Sequence, residues 1–212
     1  MAFRTVQVER ALVHLRNADP ILESVIDRVG PFTLRAKRDR FGMLVRSILS
    51  QQISTKAAES IRNRLLARLH PETLSVESLS QLTDEDLRSV GLSGQKVRYL
   101  RDLIEHVHSG QIPLNTIGRQ TDAEIIRELT QVTGIGEWTA QMFLIFSLGR
   151  MDVLPHADLG IRTAIRNLYQ LDELPNRTET ERLATPWRPY ATIASWYCWR
   201  SLELPSPNNS VE

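Results

Sequence analysis

A single cysteine, Cys198, stands in a chain of 212 residues. One thiol cannot build an internal disulfide, an all-cysteine zinc site or a four-cysteine iron–sulfur cluster. Long apolar runs are missing as well. The longest apolar-leaning stretch, Thr139 to Leu148, contains Gln141 and falls well short of the ~20 residues a membrane-spanning helix needs. The N-terminus carries Arg4, Glu9 and Arg10 where a signal peptide would have an apolar core. Alternating strand patterns, repeats and low-complexity runs are absent or scarce. These absences point to a chain of the cytoplasm or nucleoid, or of the nucleus in a eukaryote, with no membrane partner.

What is present is an ordinary globular composition, 42% hydrophobic and 24% charged, with a net charge of +1. The charge is unevenly spread. Residues 1–70 hold 13 Lys/Arg against 6 Asp/Glu, and the rest of the chain holds 13 against 19. A basic half can bind a polyanion although the whole is near neutral, and it can equally be a solvated face. Helix signals recur throughout. Asp19-Pro20 reads as N-cap and first helical residue of a helix to about Val29. Further helices are predicted over Phe41–Leu49, from Ser54 to Leu69, after Thr83, over Lys96–Val107, after Gly136, after Asp158 and from about Pro189 to Leu202. Thr121 and Glu124 form a capping box before Ile125. The predicted class is all-α, with a flexible tail over residues 205–212.

The most informative stretch is 129–140, Leu129-Thr130-Gln131-Val132-Thr133-Gly134-Ile135-Gly136-Glu137-Trp138-Thr139-Ala140. One helix ends near Gln131 and a second starts just after Gly136. Gly134 and Gly136 can take positive φ and let backbone approach closely. The N–H groups opening the second helix then face outward with a favourable dipole, as a phosphate-binding hairpin would. Ile135 turns inward. Twenty residues after Trp138 stands Asp158, in Met151-Asp152-Val153-Leu154-Pro155-His156-Ala157-Asp158-Leu159-Gly160.

This pattern resembles the helix-hairpin-helix with Gly/Pro-rich loop and Asp that marks a DNA glycosylase superfamily, and within it the 3-methyladenine glycosylase II branch. Three more stretches carry the resemblance in order: Ile48-Leu49-Ser50-Gln51-Gln52-Ile53-Ser54, Gly91 to Leu100, and Trp187-Arg188-Pro189-Tyr190 through Trp199-Arg200. It runs from about residue 18 to 204. It implies two helical subdomains flanking a DNA-binding cleft within a single glycosylase unit, one spanning 38–118 and the other joining 1–37 to 119–204, with a catalytic loop at 151–160. It implies a monofunctional enzyme that flips alkylated purines such as 3-methyladenine and 7-methylguanine out of duplex DNA and hydrolyses the glycosyl bond in base excision repair. A DNA-binding module that kept the hairpin without the chemistry is the alternative.

Residue by residue, the resemblance makes Asp158 the catalytic carboxylate, stabilising an electron-deficient sugar and orienting water. A helix cap at Leu159 is its plainer role. Asp152 reads as a loop or capping residue. Trp138 stands where lyase-type members carry a lysine nucleophile, which implies hydrolysis without strand cleavage. It is a candidate wall of the base pocket, since a cationic alkylpurine is drawn to an electron-rich face, or a core tryptophan behind the hairpin. Three of the four tryptophans fall within 13 residues. Of these, Trp199 matches a family pocket position and Trp196 lies on nearly the same helix face. Ala191 replaces an arginine common in that motif. Gln51 is expected to face the pocket, and Gln52 to be the wedge that fills the gap left by a flipped base. Gly134, Ile135, Gly136 and Thr139 are the expected phosphate contacts of the hairpin. His156 could touch phosphate, help set the environment of Asp158 or simply lie on a surface loop, and Lys96 could contact phosphate or belong to a solvated helix face. No organic cofactor is implied, but a structural Na+ or K+ is, held by backbone carbonyls of Thr130, Val132 and Ile135. The implied partner is double-stranded DNA with alkylated bases, bound by a monomer.

Overall fold

The computed structural model describes residues 3–205, so all but the first residue of the expected tail lies outside it. Among the described residues there are twelve α-helices and no strand: α1 Thr5–Ala18, α2 Pro20–Val29, α3 Arg40–Ser50, α4 Thr55–Leu69, α5 Val76–Ser80, α6 Asp84–Ser89, α7 Gly94–His108, α8 Asp122–Leu129, α9 Glu137–Phe143, α10 Leu159–Leu168, α11 Arg177–Leu183 and α12 Ala191–Ser201. None is long and apolar enough to cross a membrane. Their starts are written locally. Asp19 accepts from Ile21 N–H at 3.0 Å and Leu22 N–H at 3.1 Å to open α2, with Pro20 as the first helical residue. Thr121 and Glu124 close the expected capping box reciprocally, at 3.3 and 2.7 Å, and open α8. Helices α5 and α11 were not expected. Each is a short polar helix held by a cap, Ser75 and Asn176 respectively, with little apolar periodicity to announce it.

The chain falls into two compact units. One runs from Lys37 to Phe143; the other joins the residues up to Ala36 to those from Leu144 on. The expected boundary at 118/119 is therefore corrected, because the hairpin region 119–143 packs with 37–118. In the 37–143 unit α9 lies against both α3 and α8, while α7 carries α3, α5 and α6. Its centre is built from Leu44, Val45, Ile48, Leu65, Leu79, Leu100, Leu103, Ile125 and Leu129, all at most 1% exposed.

The other unit packs α1, α2, α10 and α12 around Leu15, Leu22, Ile161, Ile165, Trp187 and Tyr197. Its buried polar hub is Asp19. Beyond capping α2, this carboxylate accepts from the Trp187 indole N–H at 2.8 Å and from the Tyr169 hydroxyl. A buried carboxylate is tolerable only when its lone pairs are so occupied. Burial, followed by the bond to Asp19, pushes the Tyr169 hydroxyl well above its ordinary range, so it stays a donor. Burial does the same to the Cys198 thiol, which is inert packing.

Candidate functional site

Within the 37–143 unit, α8 and α9 are joined by Thr130–Gly136. Gly134 has φ +87°, the left-handed region, and a Cβ built on it would lie 2.3 Å from the Tyr99 ring. Only glycine serves there. Gly136 departs from expectation. Its φ is not positive, and a Cβ on it would meet nothing within 4 Å, so the space beside it is open. Ile135 is 4% exposed and Thr139 5% exposed, so neither side chain reaches out and any contact they make with a ligand is through backbone. Trp138, at 45% exposure, is not a core tryptophan. It sits on the first turn of α9, where a helix has N–H groups without partners inside the helix.

The turn after α3 is held from two sides. Lys96, on α7, donates to the Leu49 carbonyl at 2.6 Å, placing a cation at the C-terminal end of α3 where the helix dipole favours it. Partial burial draws the Lys96 ammonium below its ordinary pKa. Lys96 is thus a half-buried tether of this turn. Gln51 donates one carboxamide N–H to the Gly134 carbonyl at 2.7 Å, tying the turn to the hairpin. Between these anchors Gln52 is exposed, with φ +56°. A non-glycine residue in that region stores strain, and such residues gather at functional turns. The hairpin has a further anchor, since Thr133 N–H donates to the Asp102 carboxylate at 2.6 Å. Burial raises that carboxyl, but the Thr133 bonds and the nearby His106 outweigh it and hold it below the usual aspartate range.

In the other unit, Asp158 opens α10. Its Oδ1 accepts from Ile161 N–H at 2.9 Å and from the Trp199 indole N–H at 2.9 Å. The capping reading is therefore observed, and the same bond fixes the carboxylate. Trp199 is half-buried and stacks on Phe146, with ring centroids 5.9 Å apart and planes at 23°. Phe146 belongs to a π-helical turn, Leu144–Leu148, a rare form that often marks functional positions. Gly160 makes room for this arrangement: a Cβ there would stand 3.0 Å from both Asp158 Oδ1 and Trp199 Cδ1.

Trp196 is corrected. It is 8% exposed and packs edge-to-face on Phe32 at 4.9 Å and on Tyr197 at 4.8 Å, inside the core. Trp196 and Trp199 are three residues apart, yet on a helix buried all round this spacing does not set a single face. His156 is also buried, at 8% exposure, so it is no surface contact. Asp152 caps as expected: it accepts from Ala191 N–H at 3.1 Å and pairs with Arg188 at 3.1 Å. Phe146, Gly160, Tyr99 and Asp102 escaped the sequence reading. The one available signal was the i, i+3, i+6 spacing of Lys96, Tyr99 and Asp102 on a single helix.

A helix-hairpin-helix in one unit and a capped, doubly held aspartate after a Gly/Pro loop in the other define a class of DNA repair protein. The model of the HhH-GPD superfamily of base excision DNA repair proteins matches residues 45–189, and the chain belongs to that superfamily. It is 34% identical over 200 residues to DNA-3-methyladenine glycosylase 1 of Schizosaccharomyces pombe, covering 92% of this chain and 88% of that one. The structure of the S. pombe 3-methyladenine DNA glycosylase Mag1, in complex with abasic DNA, superposes with a TM-score of 0.81 at 32% identity, over 92% of this chain and 97% of that one. The crystal structure of a DNA-3-methyladenine glycosidase from Bacillus halodurans superposes with a TM-score of 0.82 at 33% identity, over 95% and 91% of the two chains.

Proposed function

We propose that the protein is a monofunctional DNA glycosylase that excises alkylated purines, 3-methyladenine and 7-methylguanine among them, from double-stranded DNA. The observation that carries this reading is Asp158, whose carboxylate is fixed by two donors at the head of α10. The bond from C1′ to the base nitrogen breaks with its electron pair leaving on the base. The sugar is left electron-deficient, and the negative charge of Asp158 stabilises it. A water oxygen then bonds to C1′ and gives its proton to Asp158 or to solvent. Because the sugar carbon is shielded in the stack, the nucleotide must be extruded first, and Gln52 on its strained turn is the residue proposed to fill the gap. The backbone of Gly134, Ile135, Gly136 and the first turn of α9 holds phosphate. Trp199, stacked on Phe146 and bonded to Asp158, is the proposed aromatic contact of a cationic base, and Trp138 is an exposed ring on the hairpin's own unit. With Trp138 in the place of a nucleophilic lysine, the product is an abasic site in an unbroken strand.

Carbonyl oxygens of Thr130, Val132 and Ile135 suit a monovalent ion. Val132 accepts Ile135 N–H at 2.9 Å and keeps its second lone pair. Such an ion would add positive charge beside a phosphate; no step of base release runs through it.

The test is single-turnover base release from lesion-bearing duplexes, with borohydride trapping and gel analysis without alkali. Wild type is expected to leave abasic sites, unnicked and untrapped. Asp158→Asn keeps the cap, since Asn caps as well as Asp, and removes the charge. It is expected to fold normally, bind an abasic analogue at least as well and lose turnover by orders of magnitude. The loss should be larger for hypoxanthine, which is neutral in the nucleotide and leaves as an anion unless a proton reaches it, than for 7-methylguanine, whose positive charge lets it leave as a neutral base. Unchanged rates in Asp158→Asn, or a trapped covalent complex, would overturn the mechanism.

A further inference from the structure

We propose that Gln51 and Lys96 are positioning residues that couple the hairpin to the Gln52 turn, so that seating the hairpin on phosphate also holds the wedge ready for insertion. The inference rests on the function proposed above.

Helix α7 is the frame of this coupling. On successive turns, Lys96 reaches the Leu49 carbonyl at the end of α3, the Tyr99 ring lies against Gly134, and Asp102 accepts from Thr133 N–H. One helix face therefore carries both the wedge turn and the hairpin. The Gln95 carboxamide donates to the Tyr99 hydroxyl and holds that ring in place. Gln51 then closes the loop directly, spanning 83 residues of sequence to donate to Gly134. The Gln52 backbone at φ +56° is costly and persists only where its surroundings over-determine it. The two bonds flanking it, from Lys96 and from Gln51, supply that constraint. Gln51 commits one of its two carboxamide N–H groups to protein backbone, and that bond ties the turn to the hairpin.

The division of labour predicts a specific signature. The hairpin keeps its own anchors, Tyr99 and Asp102, when Gln51 is lost, so affinity for undamaged duplex should hold. What weakens is the work of extrusion. That work is large for a lesion paired in duplex and small for a lesion opposite a mismatch.

The experiment compares single-turnover release of hypoxanthine from a paired and a mispaired duplex. Gln51→Leu removes the donor at similar size; Lys96→Met frees the other end of the turn; Lys96→Arg restores a cationic donor. For Gln51→Leu and for Lys96→Met we expect the paired-to-mispaired rate ratio to fall about fivefold, the scale one net hydrogen bond sets, with affinity for undamaged duplex within about twofold of wild type. Lys96→Arg should recover most of the ratio. Gly136→Ala, which unseats the hairpin but keeps both tethers, should slow both substrates and lower the ratio as well. A ratio unchanged in both Gln51→Leu and Lys96→Met, or equal slowing of both substrates, overturns the coupling while leaving the glycosylase reading intact. Wild type releasing base from no alkylated or deaminated purine duplex overturns the glycosylase reading itself. Thermal melting identifies a variant that has lost its fold, in which case the other variant decides.

Discussion

At Asp158 a helix cap coincides with the proposed reacting carboxylate in one side chain. Oδ1 accepts both the Ile161 amide and the Trp199 indole N–H, so the carboxylate cannot rotate without giving up two bonds. Trp199→Phe would keep an aromatic ring on Phe146 and delete only the indole donor. A hydrogen bond to a charged group is worth ~1.5–3 kcal/mol, yet the Ile161 cap remains, so base release should slow by roughly tenfold with affinity for abasic DNA unchanged. A wild-type rate would show that the cap alone orients the carboxylate. Gly160 gives a second reading of the same geometry. Alanine is the better helix former by ~0.5–1 kcal/mol, but its Cβ would press at 3.0 Å on Asp158 Oδ1 and on Trp199. The two effects oppose each other in stability and not in catalysis. Gly160→Ala should melt within a few degrees of wild type and release base more slowly; melting and single-turnover rates on one preparation check this, and equal rates would remove Gly160 from the site. Asp158 was legible in the sequence because loop, spacing and cap signal coincide on it. Trp199 was legible only through family resemblance, and its partners Phe146 and Gly160 not at all, because stacking and the room left by a missing Cβ are properties of packing.

The hairpin separates its two glycines by function. Gly134 is required by the fold: φ +87° and the Tyr99 ring leave no space for a side chain. Gly136 has neither constraint, and its neighbourhood is open. Gly134→Ala should therefore destabilise the protein by ~1–3 kcal/mol, and any loss of DNA affinity in it would be confounded by unfolding. Gly136→Ala should cost at most about 1 kcal/mol, since Ala caps a helix less well than Gly but its Cβ meets no neighbour within 4 Å. It should still weaken binding to damaged and undamaged duplex alike by blocking backbone approach to phosphate. If Gly136→Ala binds as wild type does, the hairpin is a structural corner only. The two glycines look alike in sequence because a dipeptide spacing carries no dihedral angles. The elements whose ends are written in side chains, Asp19-Pro20 for α2 and Thr121 with Glu124 for α8, were legible to the residue. The π-helical turn at Leu144–Leu148 and the short helices α5 and α11 were not, since they hold through tertiary contact more than through local periodicity.

Across the whole molecule the charge asymmetry of the chain dissolves on folding. Residues 37–143 hold 14 Lys/Arg and 13 Asp/Glu, and the remaining residues hold 12 and 12. The basic first 70 residues are shared between both compact units, where acidic residues from later in the chain join them. The sequence also misplaced the boundary between the units. The family resemblance puts residues 119–143 with the other subdomain, while the bonds Gln51–Gly134 and Thr133–Asp102 tie them to what precedes. Several basic side chains are paired with acids at the surface as well: Arg46 with Asp39, Arg68 with Asp86 and Arg101 with Asp84. Binding to DNA should accordingly lean on backbone amides and few free cations. Only phosphates neutralised by Lys or Arg release counterions, about 0.9 per phosphate in the logarithmic salt slope. The expected slope of log K against log salt is therefore shallow, with a magnitude below about 4. Gly136→Ala should displace the line downward in parallel, because losing amide contacts weakens binding without changing the number of ions released. Affinity for an abasic duplex measured from low to near-physiological salt, for wild type and Gly136→Ala, gives both quantities. A steep wild-type slope would mean that an extended basic surface drives association. A slope altered by Gly136→Ala would mean that the hairpin acts by positioning cations and not by its own amides.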